Sequence, residues 1–136
     1  MSASRPAERP MSSQRSGGGD PAFEVVDLAL GGVAGVAVRG EVELATAPQL
    51  TAALDEGIRR SGGLFVIDLS IVDFLDSTGI QCLIRARALL GRDDRPVALI
   101  CPQGNVRRVL EIAAVAELFP LYETRDELAH ALVEPE

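Results

Sequence analysis

The sequence predicts a single small α/β domain with the element order ββαβαβαβα and a mixed, mostly parallel sheet packed by helices. Three observations lead there. Short β-branched or continuously apolar runs alternate with segments whose apolar residues recur every three to four positions. A glycine pair, Gly31-Gly32, separates the first two runs as a hairpin turn would. Each later run is followed by a polar helix-start signal, and strands alternating with helices imply right-handed crossovers and parallel pairing. The 136 residues are 47% hydrophobic, enough for one buried core. With 4% aromatic residues and no Trp, that core must be built from Val, Leu, Ile and Ala.

Residues 1–20, rich in Ser, Arg, Pro and Gly and lacking periodicity, are expected to form a disordered tail that contributes no core, leaving residues 21–136 as the domain. The first two strands are expected at 23–30 and 33–38. Gly40-Glu41-Val42-Glu43 then leads to Thr46-Ala47-Pro48-Gln49, a capping box with an early proline. In the helix that follows, Leu50, Leu54 and Ile58 form the apolar stripe, and Ser61-Gly62-Gly63 ends it. Residues 64–67 read as a buried central strand ending near Asp68 or Leu69. A helix carrying Ile80, Leu83, Ile84 and Ala88 starts close to Ser77, and 91–96 is its exit loop. Residues 97–101 form another buried strand, and Pro102-Gln103-Gly104-Asn105 opens a helix with Val106, Val109, Leu110 and Ala113 inward. Leu121-Tyr122 is a short edge strand, and Thr124-Arg125-Asp126-Glu127 repeats the capping box ahead of Leu128, Ala131 and Leu132.

The stretch with chemistry in it runs from Asp68 to Gly79, where strand gives way to helix and hydroxyls gather. Asp, Ser and Thr are common helix caps because their oxygens accept from the orphan amides of the first turn. Two registers are open: Ser77 is the cap, or Thr78 is, through its capping-box spacing to Gln81, which leaves the Ser77 hydroxyl free. In either, the unpaired amides and the dipole of the helix start allow an added phosphate to be carried at small cost.

Composition excludes several classes. The net charge is −7, and residues 1–20 carry +1 of it, so the domain itself is at −8. An acidic domain does not suit nucleic acid or an anionic membrane surface, which require clustered basic charge. There is no lysine, hence no Walker-type phosphate loop. Cys82 and Cys101 fall in apolar segments and read as reduced core residues of a cytoplasmic protein. His130, the one histidine, has no catalytic neighbour in sequence, and Asp68, Asp73 and Asp76 read as turn and cap residues rather than a metal site. Arg85, Arg87, Arg107 and Arg108 read as solvated faces. No catalytic residue, cofactor or metal is expected.

The run DLSIVDFLDSTGI, 68–80, resembles the signature of anti-sigma factor antagonists of the STAS domain family. Residues 40–48, GEVELATAP, are similar to that family's first motif, and Val106-Arg107-Arg108-Val109-Leu110-Glu111 with Leu118-Phe119-Pro120 to its C-terminal one. The resemblance spans most of 23–133. Glu43 stands where the family usually has Asp, and Ala113-Ala114 where Thr-Gly is common. The resemblance implies a regulatory protein that binds an anti-sigma factor serine kinase, is phosphorylated on Ser77 (second choice Thr78), and is reset by a serine phosphatase. The implied contact surface comprises Glu43, Thr46, Asp76, Ser77, Thr78 and Gly79. The alternative is a STAS module not switched by phosphate, serving as a scaffold or holding a small ligand or nucleotide. A receiver domain phosphorylated on Asp68 would require a lysine and an acidic pair near the first strand, and neither is present.

Overall fold

The computed structural model describes residues 23–133; the expected tail, 1–20, lies outside them. Within them the order is β1 (Glu24–Leu30), β2 (Val33–Val42), α1 (Ala47–Arg59), β3 (Phe65–Leu75), α2 (Ser77–Gly91), β4 (Val97–Ile100), α3 (Asn105–Ile112), a 3-10 turn (Ala116–Leu118), β5 (Leu121–Tyr122) and α4 (Arg125–Val133). This is the expected ββαβαβαβα order. The five strands form one sheet in sequence order. β1 pairs antiparallel with β2 across Gly31-Gly32, both at positive φ, and every later pair is parallel. Three consecutive crossovers of one hand place α1, α2 and α3 on the same face. There Val36, Val38, Val42, Leu50, Leu54, Phe65, Ile67, Leu83, Leu99 and Leu110 form the main core. A smaller cluster of Leu28, Val66, Ala98, Ile100 and Leu128 lies under α4.

Several local expectations are corrected. Both central strands run further than their apolar runs. β2 reaches Val42 and β3 reaches Leu75, paired through Gly40↔Val72 and Val42↔Leu75 past two register shifts. β3 places an extra residue at each shift, so it bulges and stays paired where sequence reads a polar loop. The bulges keep Leu69, Val72 and Leu75 buried while Ser70, Ile71, Asp73 and Phe74 face outward. The Thr46 capping box does not form: Thr46 has helical φ and ψ and makes no side-chain cap. In α2 the buried stripe is Gly79, Cys82, Leu83, Ala86 and Leu90, so Ile84 and Ala88 face out. Ala113 is exposed at the end of α3, and Val115 and Phe119 fill the core beyond it. Leu128 alone of α4's expected inward residues is buried; Ala131 and Leu132 are exposed. The second capping box does hold in part, since the Thr124 hydroxyl accepts from the Glu127 amide at 3.0 Å while the Glu127 carboxylate accepts from the Glu123 amide.

Ala114 shows what its departure from Thr-Gly does. It takes φ +63 as the chain leaves α3, a conformation in which Cβ crowds the backbone. Ala114→Gly is therefore expected to stabilise the domain by about 1 kcal/mol, raising the melting temperature by about 4 °C in a calorimetric scan. An unchanged or lower melting temperature would mean the left-handed residue is unstrained.

Candidate functional site at the start of helix α2

The end of β2 and the end of β3 lie side by side, and the site is built where each turns into its helix. The Asp76 amide donates to the Val42 carbonyl at 3.2 Å, fixing the start of α2 against the exit of β2. Asp76 is extended, and its Oδ1 accepts from the Thr78 amide at 2.9 Å and the Gly79 amide at 3.1 Å. Asp76 is thus the cap, one residue before the Ser77 register and two before the Thr78 register. Ser77 becomes the first helical residue, exposed, and among the described residues nothing hydrogen-bonds its hydroxyl. Thr78 is half-buried and Gly79 buried. A Cβ at Gly79 would lie 2.5 Å from Leu75 Cδ1 and 2.7 Å from Val42 Cγ1, so glycine lets the first turn of α2 close against both strand ends.

The neighbouring loop is held by Thr46. Its hydroxyl donates to the Glu41 carbonyl at 2.8 Å and accepts from the Glu43 amide at 3.1 Å, with the residue 6% exposed. With the hydroxyl turned to these partners and the residue in helical φ and ψ, it does not reach the first-turn amides of α1. Glu43 is half-buried, and its carboxylate accepts from the Ala45 amide at 2.8 Å. Between this loop, α1 and α2 runs an open groove of about 660 Å³ lined by Leu44, Pro48, Thr51, Thr78, Gln81 and Arg85 among others. Leu44, 74% exposed, stands at its rim. Arg85 pairs with Asp55 across the groove, and the hydrogen bond to that carboxylate, then its charge, raises the guanidinium pKa.

All six residues expected at the surface are thus in two adjoining segments, with Ser77 outermost in its helix turn and Thr46 and Gly79 beneath. Leu44 and the half-exposed Phe74, at the end of β3, are not singled out by motif or charge. Phe74 faces outward only because of the β3 bulges, since a strict period of two would put it on the face of buried Val72.

Elsewhere two expectations change. Asp68 is not a turn residue: it is buried within β3, takes the Ser70 amide and hydroxyl on Oδ1, and pairs with Arg125 Nε at 2.6 Å through Oδ2. Arg107 is not solvated. Its side chain is 15% exposed and donates to the Cys101 carbonyl at 2.7 Å, with Glu111 beside it. Cys82 and Cys101 are buried free thiols, and burial pushes the Cys101 pKa up to about 11, so its thiolate is disfavoured. His130 is exposed. Among the described residues no His, Cys, Asp and Glu group is placed to hold a metal, and no helix is long and apolar enough to cross a membrane.

Asp76→Ala is expected to remove the cap and cost about 1 kcal/mol, lowering the melting temperature by about 4 °C, with Asp76→Asn close to wild type. Equal melting of all three proteins would show that the first turn does not depend on this side chain.

Fold and site define a small α/β domain that presents a serine hydroxyl at a helix start capped by its neighbour. The chain belongs to the STAS domain family, whose model matches residues 28–128. It is 30% identical over 93 residues to the anti-sigma-F factor antagonist RsfB of Mycobacterium tuberculosis, covering 68% of this chain and 75% of that one. It is 28% identical over 94 residues to the putative anti-sigma factor antagonist BtrV of Bordetella bronchiseptica, covering 69% and 81%. Among solved structures, an anti-sigma factor antagonist from Mycobacterium paratuberculosis matches with TM-score 0.74 and 31% identity over 84% of this chain and 96% of that one. The unphosphorylated form of the anti-sigma factor antagonist SpoIIAA, at 16% identity, shares the fold with TM-score 0.61, covering 85% of this chain and all of the other.

Proposed function

We propose that this chain is an anti-sigma factor antagonist: it captures an anti-sigma factor that is also a serine kinase, and lets go when that kinase phosphorylates Ser77. The observation that carries the reading is the exposed Ser77 hydroxyl, left free because Asp76 does the capping. Phosphoryl transfer needs the acceptor oxygen to reach the γ-phosphate in the partner's site, and a hydroxyl engaged with its own backbone would first have to be released. The general base comes from the partner, because the one histidine of this chain, His130, lies in α4, and the neighbouring Asp76 carboxylate is engaged with the Thr78 and Gly79 amides. Held and released in this way, the protein governs sigma-factor-dependent transcription in the cytoplasm, and a serine phosphatase returns it to the binding state.

The contact surface is formed by Ser77 and Thr78 with Glu43 and Leu44 of the loop. Thr46, Asp76 and Gly79 support it from below through the bonds and packing described. Glu43→Arg is expected to weaken capture of the anti-sigma factor at least about tenfold, about 1.4 kcal/mol, with thermal unfolding changed little. Affinity equal to wild type in a titration of the purified partner would place the loop outside the interface. The groove between α1 and α2 favours one second reading, a small-ligand or nucleotide module without a phosphate switch. A chain that binds nucleotide directly and gains no phosphate with any co-purified kinase and ATP would support that reading instead.

A further inference from the structure

The sheet is covered unequally. On one face three helices bury a continuous core; on the other α4 covers a small cluster with one buried side chain, Leu128. Leu132 and Val133 of the same helix are 40% and 74% exposed. A nine-residue helix is marginal on its own, so its residence depends on its attachments. Besides Leu128, a strong one is polar: Arg125, in the first turn, reaches Asp68 at 2.6 Å, and Asp68 is a carboxylate 4% exposed on its side chain.

We propose that α4 is a latch that opens as a unit about Glu123 and Thr124, with the Arg125–Asp68 pair as its catch. Opening uncovers the apolar face of Leu28, Val66, Ala98 and Ile100. It also returns Asp68 to water as Arg125 leaves, so the carboxylate is rehydrated rather than left buried without its partner. Cutting the catch while the latch is shut does the opposite: it leaves a buried charge without that cation and drives the helix off. The rest of the sheet stays closed, because its strands are fixed by the core on the other face. The latch sits on β3, the strand that leads into Ser77, and does not depend on how Ser77 is used.

Hydrogen exchange read by mass spectrometry on the full chain tests this. In the wild type, amides of 128–133 are expected to exchange about tenfold or more faster than those of 65–69, with little sensitivity to low denaturant, as local opening requires. Arg125→Met is expected to accelerate the α4 amides about a further tenfold and leave 65–69 unchanged; adding Asp68→Asn, which removes the buried charge and keeps an acceptor for Ser70, is expected to slow them again. If α4 and β3 exchange together in the wild type, with the same denaturant dependence, the latch does not exist, and that result stands even if Arg125→Met fails to fold. Acceleration of both segments equally in Arg125→Met, or of neither, also overturns it.

Discussion

Ser77→Asp is expected to bind the anti-sigma factor at least about tenfold more weakly than the unmodified wild type, and Ser77→Ala to hold it whether or not ATP is present, with both variants folded. Phosphate adds about −1.5 to −2 charges. Ser77 lies next to Asp76, whose carboxylate already occupies the Thr78 and Gly79 amides, so the new charge does not find those donors free. Bringing a dianion into a contact from which water is excluded, beside a second anion, carries several kcal/mol of desolvation and repulsion. Since 1.4 kcal/mol is tenfold in affinity, a fraction of that suffices to release the partner. Aspartate carries one charge and is the weaker mimic, so phosphorylated wild type should bind less well than Ser77→Asp. The dipole of α2 still favours negative charge at its first turn, so the fold is expected to survive. Equal affinity of wild type, Ser77→Asp and Ser77→Ala would remove Ser77 from the interface.

The largest effect on stability is expected at Gly35, far from that site. Gly35 pairs with Val66 across the β2–β3 ladder, and a Cβ there would lie 2.1 Å from the Val66 carbonyl oxygen. The obstacle is backbone within a central strand pair, so the ladder itself must part. Gly35→Ala is expected to cost about 3 kcal/mol, the upper end for overpacking, and to lower the melting temperature by about 12 °C. At Gly79 the nearest atoms are side-chain methyls of Leu75 and Val42 rather than backbone, and Gly79→Ala should cost less. A Gly35→Ala protein that melts within 2–3 °C of wild type would show that the strands separate there without penalty.

The fold was legible because its signals are local and agree. Hairpin glycines, helical periods in α1 and α3 and the buried run of β4 each point to the same element order. The legible part of the site was its serine and the loop opposite, both through motif resemblance. Two kinds of feature escaped. The length of β2 and β3 depends on bulges, which break the period-two pattern that marks a strand, so polar Ser70 and Asp73 read as loop. Capping depends on which of several eligible oxygens reaches the amides. Asp76, Ser77 and Thr78 are all eligible by residue type, and the choice is made by Asp76 being tied to Val42 in an extended conformation. The Asp68–Arg125 pair joins residues 57 apart, and no local pattern carries such a contact.

The central claim, that Ser77 is the switched residue, is tested most directly by incubating the protein with its anti-sigma factor and ATP and locating the added phosphate by fragmentation of the peptide that contains 76–79. One phosphate on Ser77, absent in Ser77→Ala and accompanied by loss of the complex, is the expected result. Phosphate on Thr78, or labelling of Ser77→Ala as efficient as that of wild type, would contradict it.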